Sequence, residues 1–176
     1  MFLPTRLVSY GEAVLRYAPV NNELHSAYRG RPSAFSVVQR TVGGDELNVC
    51  IDKRMLDGGD GGAGGVCEWV SVLPRNELAD VVRHCATDAG VSIAHCVDAD
   101  SPADQGVGAF SVLPEQRTVV YQRCQSAFAR AAPGLFDWPR ILAGGGVWLH
   151  ATGITPLLGA GARATWVAHV EAAQRL

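Results

Sequence analysis

Three consecutive stretches constrain the fold most: "VCEWVSVLP" (66–74), "NELADVVRHCATDAG" (76–90) and "VSIAHCV" (91–97). The first is apolar enough to be a strand buried on both faces. The second is an amphipathic helix with Asn76 as N-cap and Gly90 as its C-terminal stop. The third is a short strand. Strand, helix and strand in this order make a β-α-β unit, which crosses over right-handed into a parallel sheet covered by helices. The expected class is therefore α/β.

Other segments repeat the rhythm. "AFSVVQRTV" is a strand that ends at Gly43-Gly44, and from Asp45 to about Met55 the residues Leu47, Cys50, Ile51 and Met55 form one helical stripe. "FDWPRILAGG" predicts a short helix and "VWLHATGI" a strand. A final helix is expected from about Pro156, at the N1 position that proline tolerates, to the end of the sequence with no stop signal. "RLVSYGEAVLRYAP" predicts a strand bent at Gly11, and "GAFSVLPEQRTVVYQRC" a hairpin around "PEQR". The alternating pieces at 6–16, 34–42, 108–113 and 118–124 look one-sided and are expected to form a separate antiparallel sheet. "NNELHSAYRGRPS" and the glycine-rich "DGGDGGAGG" (57–65) are loops. The latter lacks a following Lys-Ser or Lys-Thr and is not a phosphate-binding P-loop.

Composition narrows the function classes. The 176 residues are 48% apolar and 18% charged, which fits one globular domain with a real core. A net charge of −2 argues against a dedicated nucleic-acid binder. No apolar run approaches the roughly 18 residues of a membrane span, and the first residues lack the pattern of a signal peptide. The five cysteines are odd in number and form no CxxC pair, so a reduced, cytoplasmic protein with mostly buried thiols is expected.

Candidate chemistry gathers at a few positions. Gly43 and Gly44 permit close backbone approach, and the helix start after them offers unpaired N–H donors. Asn48, one turn in, either reaches a ligand resting there or simply faces solvent on a capped helix. Gly11 and Glu12 end the first strand, where ligands of open α/β sheets collect. Glu12 is either an acceptor for sugar hydroxyls or a solvated edge charge. Tyr121 and Arg123 share one strand face. They are either a carboxylate receptor, with a bidentate fork and a hydroxyl, or an exposed cross-strand pair. His84, His95 and His150 lie in separate elements without ligand spacing, so no metal site is expected. No GxSxG nucleophile motif occurs.

In order along the chain, "GEAVLRYAP", "GGDELNV", "EWVSVLPRNELADVV", "AGVSIAHCV", "GAFSV", "VVYQRCQSA" and "WLHATGITP" resemble the PfkB (ribokinase-like) carbohydrate kinases, most of all the 2-keto-3-deoxygluconate kinase branch. The resemblance covers nearly the whole sequence. It implies a ribokinase-like, mostly parallel sheet with flanking helices and a small antiparallel β lid that covers the sugar and commonly pairs two subunits. It also implies that Gly11, Glu12, Gly43, Gly44 and Asn48 meet the sugar, that Tyr121 and Arg123 hold its acid end, and that Ile154 lines the pocket. Phe110 aligns where the family often has Tyr, which removes one hydroxyl contact. The GxGD stretch, carrying the family's catalytic base and anion hole, does not occur here, so no catalytic residue is assigned. Residues 1–176 correspond to the N-terminal portion of such a kinase, without most of its ATP site. ATP and Mg²⁺ are implied only for the complete enzyme. The expected ligand is a small sugar or sugar acid, with a homodimer through the lid and neither nucleic-acid nor membrane partners. A non-catalytic sugar-acid binding protein and an inactive truncated gene product stay open as alternatives.

Overall fold

Side chains of a strand alternate between its faces, and β1 (Arg6–Tyr10) is apolar on both. Leu7 enters one core, while Val8 and Tyr10 enter another. A strand buried on both sides belongs inside a covered parallel sheet. The computed structural model, which describes residues 6–20, 37–58, 65–113 and 118–175, places it there. β1 pairs in parallel with β4 (Cys67–Val70) on one side and β9 (Val147–His150) on the other. Next to β4, Ser92 bridges Glu68, and β5 (Val72–Leu73) pairs in parallel with β6 (Val97–Asp98).

Helices cover both faces. On one, Leu47 and Cys50 of α1 (Asp45–Leu56) and Val82 of α2 (Glu77–Asp88) pack with Leu7 and Trp69. On the other, Val8 and Tyr10 pack with Phe128 of α3 (Ala127–Arg130), Trp138 of α4 (Trp138–Ile141) and Ala162 of α5 (Ala160–Gln174). Tyr10 meets Trp138 edge-on with ring centroids 5.3 Å apart, a favoured aromatic geometry. α2 has the expected cap: Asn76 Oδ1 accepts from the Ala79 N–H at 3.0 Å, and Gly90 is left-handed at φ 72°.

A second sheet has the order β3–β2–β7–β8, formed by β3 (Val38–Gly43), β2 (Val14–Pro19), β7 (Gly108–Leu113) and β8 (Thr118–Gln122). Its outer pairs are antiparallel, and β2 and β7 run parallel. This is the separate sheet expected from the alternating pieces, with corrected limits and with a parallel central pair where an antiparallel sheet was expected. The piece at 6–16 divides at Gly11–Ala13: Arg6–Tyr10 lies in the parallel sheet and only Val14 onward joins the lid. The piece at 118–124 ends at Gln122, so Arg123 follows the strand. The strand expected at 34–42 runs from Val38 to Gly43, and 34–36 lie outside the described residues, as do most of the two loops at 21–33 and 57–65 and the turn at 114–117.

Two further boundaries move. "VSIAHCV" contributes only the Ser92 bridge and Val97, because a turn at Ala94-His95 interrupts it. Pro156 sits in a 3₁₀ turn (Thr155–Leu157), and α5 starts at Ala160, because extended Gly159 (φ 176°) separates the two. All five cysteines are free. Cys50 and Cys67 are buried, and burial pushes the Cys50 thiol up to about 12, which suits a packing role. Among the described residues, no helix is long and apolar enough to cross a membrane.

Candidate functional site

Four chain segments meet beyond the carboxyl end of β1: the Gly11–Ala13 turn, the start of α1, the end of β8 and the loop after β9. Two buried carboxylates join them. Glu12 is 3% exposed, and its Oε2 accepts from Arg123 Nε at 2.7 Å. Glu46, in the first turn of α1, is 4% exposed. Its Oε1 accepts from the Thr152 and Thr155 hydroxyls, both at 2.7 Å, and from the Thr152 N–H at 3.3 Å.

The glycines of "GGD" and "YGE" make this packing possible. Gly44 caps α1 at φ 127°, a conformation that side chains rarely adopt, and a Cβ there would lie 2.5 Å from the Glu12 carbonyl oxygen. At Gly11 a Cβ would overlap the Glu46 carboxylate. Gly11, Glu12, Gly44 and Arg123 are thus brought together by direct packing. Ile154 lies between the two threonines that bond Glu46 and is 45% exposed.

The remaining expected residues sit around this center. Asn48 is exposed one turn into α1, and its backbone N–H bonds the Gly44 carbonyl at 2.8 Å. Gly43 ends β3 opposite Val14. Phe110 and Tyr121 pair across β7 and β8 with ring centroids 5.5 Å apart. Tyr121 is 59% exposed, and the Arg123 guanidinium carbon lies 5.8 Å from its ring centroid, within cation–π range. Tyr121 and Arg123 therefore stay neighbors although the strand ends between them.

The electrostatics follow from burial. Burial pushes the Glu12 carboxyl above the usual carboxylate range, the charge and hydrogen bond of Arg123 oppose that rise, and the nearby Glu46 charge adds to it. Glu12 Oε1 is buried without a hydrogen-bond partner among the described residues. The Arg123 side chain is 19% exposed, and Nε is its one hydrogen-bonded nitrogen among the described residues, so the Nη edge can still receive an anion. Sequence patterns gave no hint of Glu46, Thr152 and Thr155. An acid in a first turn reads as complementing the helix dipole, and its partners lie more than a hundred residues away.

No family model matches the chain. Solved structures do. A 2-dehydro-3-deoxygluconokinase from Thermotoga maritima is 28% identical with a TM-score of 0.74, over 97% of this chain and 48% of that one. A PfkB family carbohydrate kinase from Listeria grayi is 24% identical with a TM-score of 0.74, again over 97% and 48%. A fructokinase with bound ATP from Xylella fastidiosa is 16% identical with a TM-score of 0.72, over 98% and 49%. The chain spans about half the length of these structures. In fold and in sequence it resembles the PfkB, ribokinase-like carbohydrate kinases.

Proposed function

We propose that this chain is the sugar-binding portion of a PfkB-type carbohydrate kinase whose substrate is a sugar acid such as 2-keto-3-deoxygluconate. The observation that carries the reading is Arg123: a partly sheltered guanidinium whose Nη edge has no hydrogen-bond partner among the described residues, beside an exposed tyrosine and bonded to Glu12, which packs against the start of α1. A planar fork of this kind matches a carboxylate. Sugar hydroxyls would be received by the α1 start at Gly43 and Gly44, by Asn48 and by the loop at Ile154, with Phe110 and Tyr121 lining the lid side. Gly11 gives room for the packing beneath.

In the complete enzyme, phosphoryl transfer from ATP needs a base, groups that stabilize the moving charge and a metal on the phosphates. The likeness to a fructokinase with bound ATP supports ATP as the donor. Among the described residues, no group of three or more His, Cys, Asp or Glu could hold a metal ion. The role of this chain is to orient the sugar. A homodimer through the lid belongs to the same proposal, supported by the exposed Val119 and Val120 on β8.

The test is calorimetric titration of the chain with 2-keto-3-deoxygluconate and with fructose, alongside a coupled ADP-release assay. The reading expects the acid to bind more tightly than the neutral sugar, without turnover by this chain alone. Equal affinities would contradict the sugar-acid assignment, and turnover near one per second would contradict the orienting role.

A further inference from the structure

We infer that Glu12 is a positioning residue that sets ligand specificity: it holds the Nε edge of Arg123, aims the Nη edge outward and tempers the guanidinium charge. The inference rests on the sugar-acid reading and deepens it, placing Glu12 behind Arg123 instead of against the sugar. Three observations carry it. Glu12 is buried deeper than Arg123, so the carboxylate lies on the closed side of the pair. Its walls leave no freedom, since a Cβ at Gly108 would stand 2.6 Å from Glu12 Oε1. The Glu12 backbone is pinned by Gly44 and its carboxylate by the Arg123 bond at 2.7 Å.

Two effects of opposite sign follow. The hydrogen bond to Nε fixes the plane of the guanidinium, and an arginine that is already aimed loses less freedom when it grips a ligand. The negative charge of Glu12 also repels a second carboxylate at the far edge, through a sheltered medium where charges interact strongly. Wild-type specificity is the balance of the two.

Glu12→Gln separates them, because the amide oxygen still accepts from Nε while the charge is gone. Binding of 2-keto-3-deoxygluconate should tighten about fivefold to tenfold, with a steeper loss on adding salt. In Glu12→Ala the guanidinium loses its aim, and acid binding should weaken about tenfold. Fructose affinity should stay nearly constant in both variants. The exchange rate of the Arg123 Nε proton, followed by ¹⁵N NMR, reports the pairing without any ligand: slow in wild type and Glu12→Gln, fast in Glu12→Ala. If both variants weaken acid and fructose alike, Glu12 is only structural and the inference is overturned. Fast Nε exchange in wild type overturns it as well. If Nε is protected as expected but wild type binds acid and fructose equally, the sugar-acid reading itself fails, and the specificity role falls with it.

Discussion

Glu46 Oε1 lies 2.7 Å from the Thr155 hydroxyl, which ties the first turn of α1 to the loop after β9. The same oxygen takes the Thr152 hydroxyl and N–H. One buried carboxylate thus fixes the spacing between the two segments that carry Asn48 and Ile154. Hydrogen bonds to a charged group are worth about 1.5–3 kcal/mol each, and donors left buried without a partner cost about 1–3 kcal/mol. Glu46→Ala should therefore destabilize the chain by about 3 kcal/mol, and Thr155→Val by about half of that. Urea denaturation checks both. Unchanged midpoints would mean that the cluster does not form.

Gly11→Ala should act through the same carboxylate. A methyl group there overlaps Glu46, and overpacking of this kind costs about 1–3 kcal/mol. The two sites touch, so their effects should not add. In a Glu46→Ala background, Gly11→Ala should cost much less. A cycle of four urea melts measures the coupling, and strict additivity would sink the proposed contact.

His169 makes the folded state sensitive to acid. It is fully buried beside Tyr10 and Trp138, Nδ1 donates to the Trp166 carbonyl at 2.8 Å, and Nε2 has no partner among the described residues. Burial lowers its pKa below the ordinary histidine value. The unfolded chain then takes up this proton first as pH falls. The contribution of neutral His169 is complete above about pH 6.5 and is lost below it, by at most about 1.4 kcal/mol per pH unit. His169→Phe should keep the ring packing and flatten the fall in melting temperature between pH 7 and 5. An unchanged pH slope would remove His169 as its source.

Legibility in the sequence followed the range of the interaction. The Asn76 cap and the Gly90 stop were readable because cap and helix are adjacent. The parallel sheet was readable from the apolar run at 66–74. The division of 6–16 was not. Arg6 and Ser9 put one polar residue on each face of β1 and mask its two-sided burial, yet Ser9 is fully buried and Arg6 is paired with Glu68 at 2.8 Å. The resemblance to the PfkB kinases implied that Glu12 and Arg123 serve one ligand, but their mutual pairing spans 111 positions and leaves no local trace. The late start of α5 depends on the Thr155–Glu46 contact and on Gly159, where the Pro156 signal alone suggested an earlier helix.

The β9 edge gives a prediction about association. Among the described residues β9 pairs only with β1, Trp148 on it is 66% exposed, and Leu157 in the turn that follows is 75% exposed. An open edge with exposed apolar side chains is a template for self-association. The isolated chain should associate at micromolar concentration, and Trp148→Lys should shift it toward monomer. Light scattering coupled to size-exclusion chromatography decides this, and a clean wild-type monomer with a cooperative melt would count against it.

The charge of the ligand tests the functional proposal at its center. A sheltered bidentate Arg–carboxylate contact is worth roughly 1.5–3 kcal/mol. Arg123→Ala should weaken binding of 2-keto-3-deoxygluconate about 10–100-fold, since each 1.4 kcal/mol is tenfold. Arg123→Lys should recover only part, because a point charge cannot reproduce the fork. Fructose should bind almost as before. Calorimetric titration of both ligands against the three proteins gives the answer. A loss confined to the acid is the expected result, and equal losses for acid and neutral sugar would make Arg123 a structural residue of the lid and contradict the sugar-acid assignment.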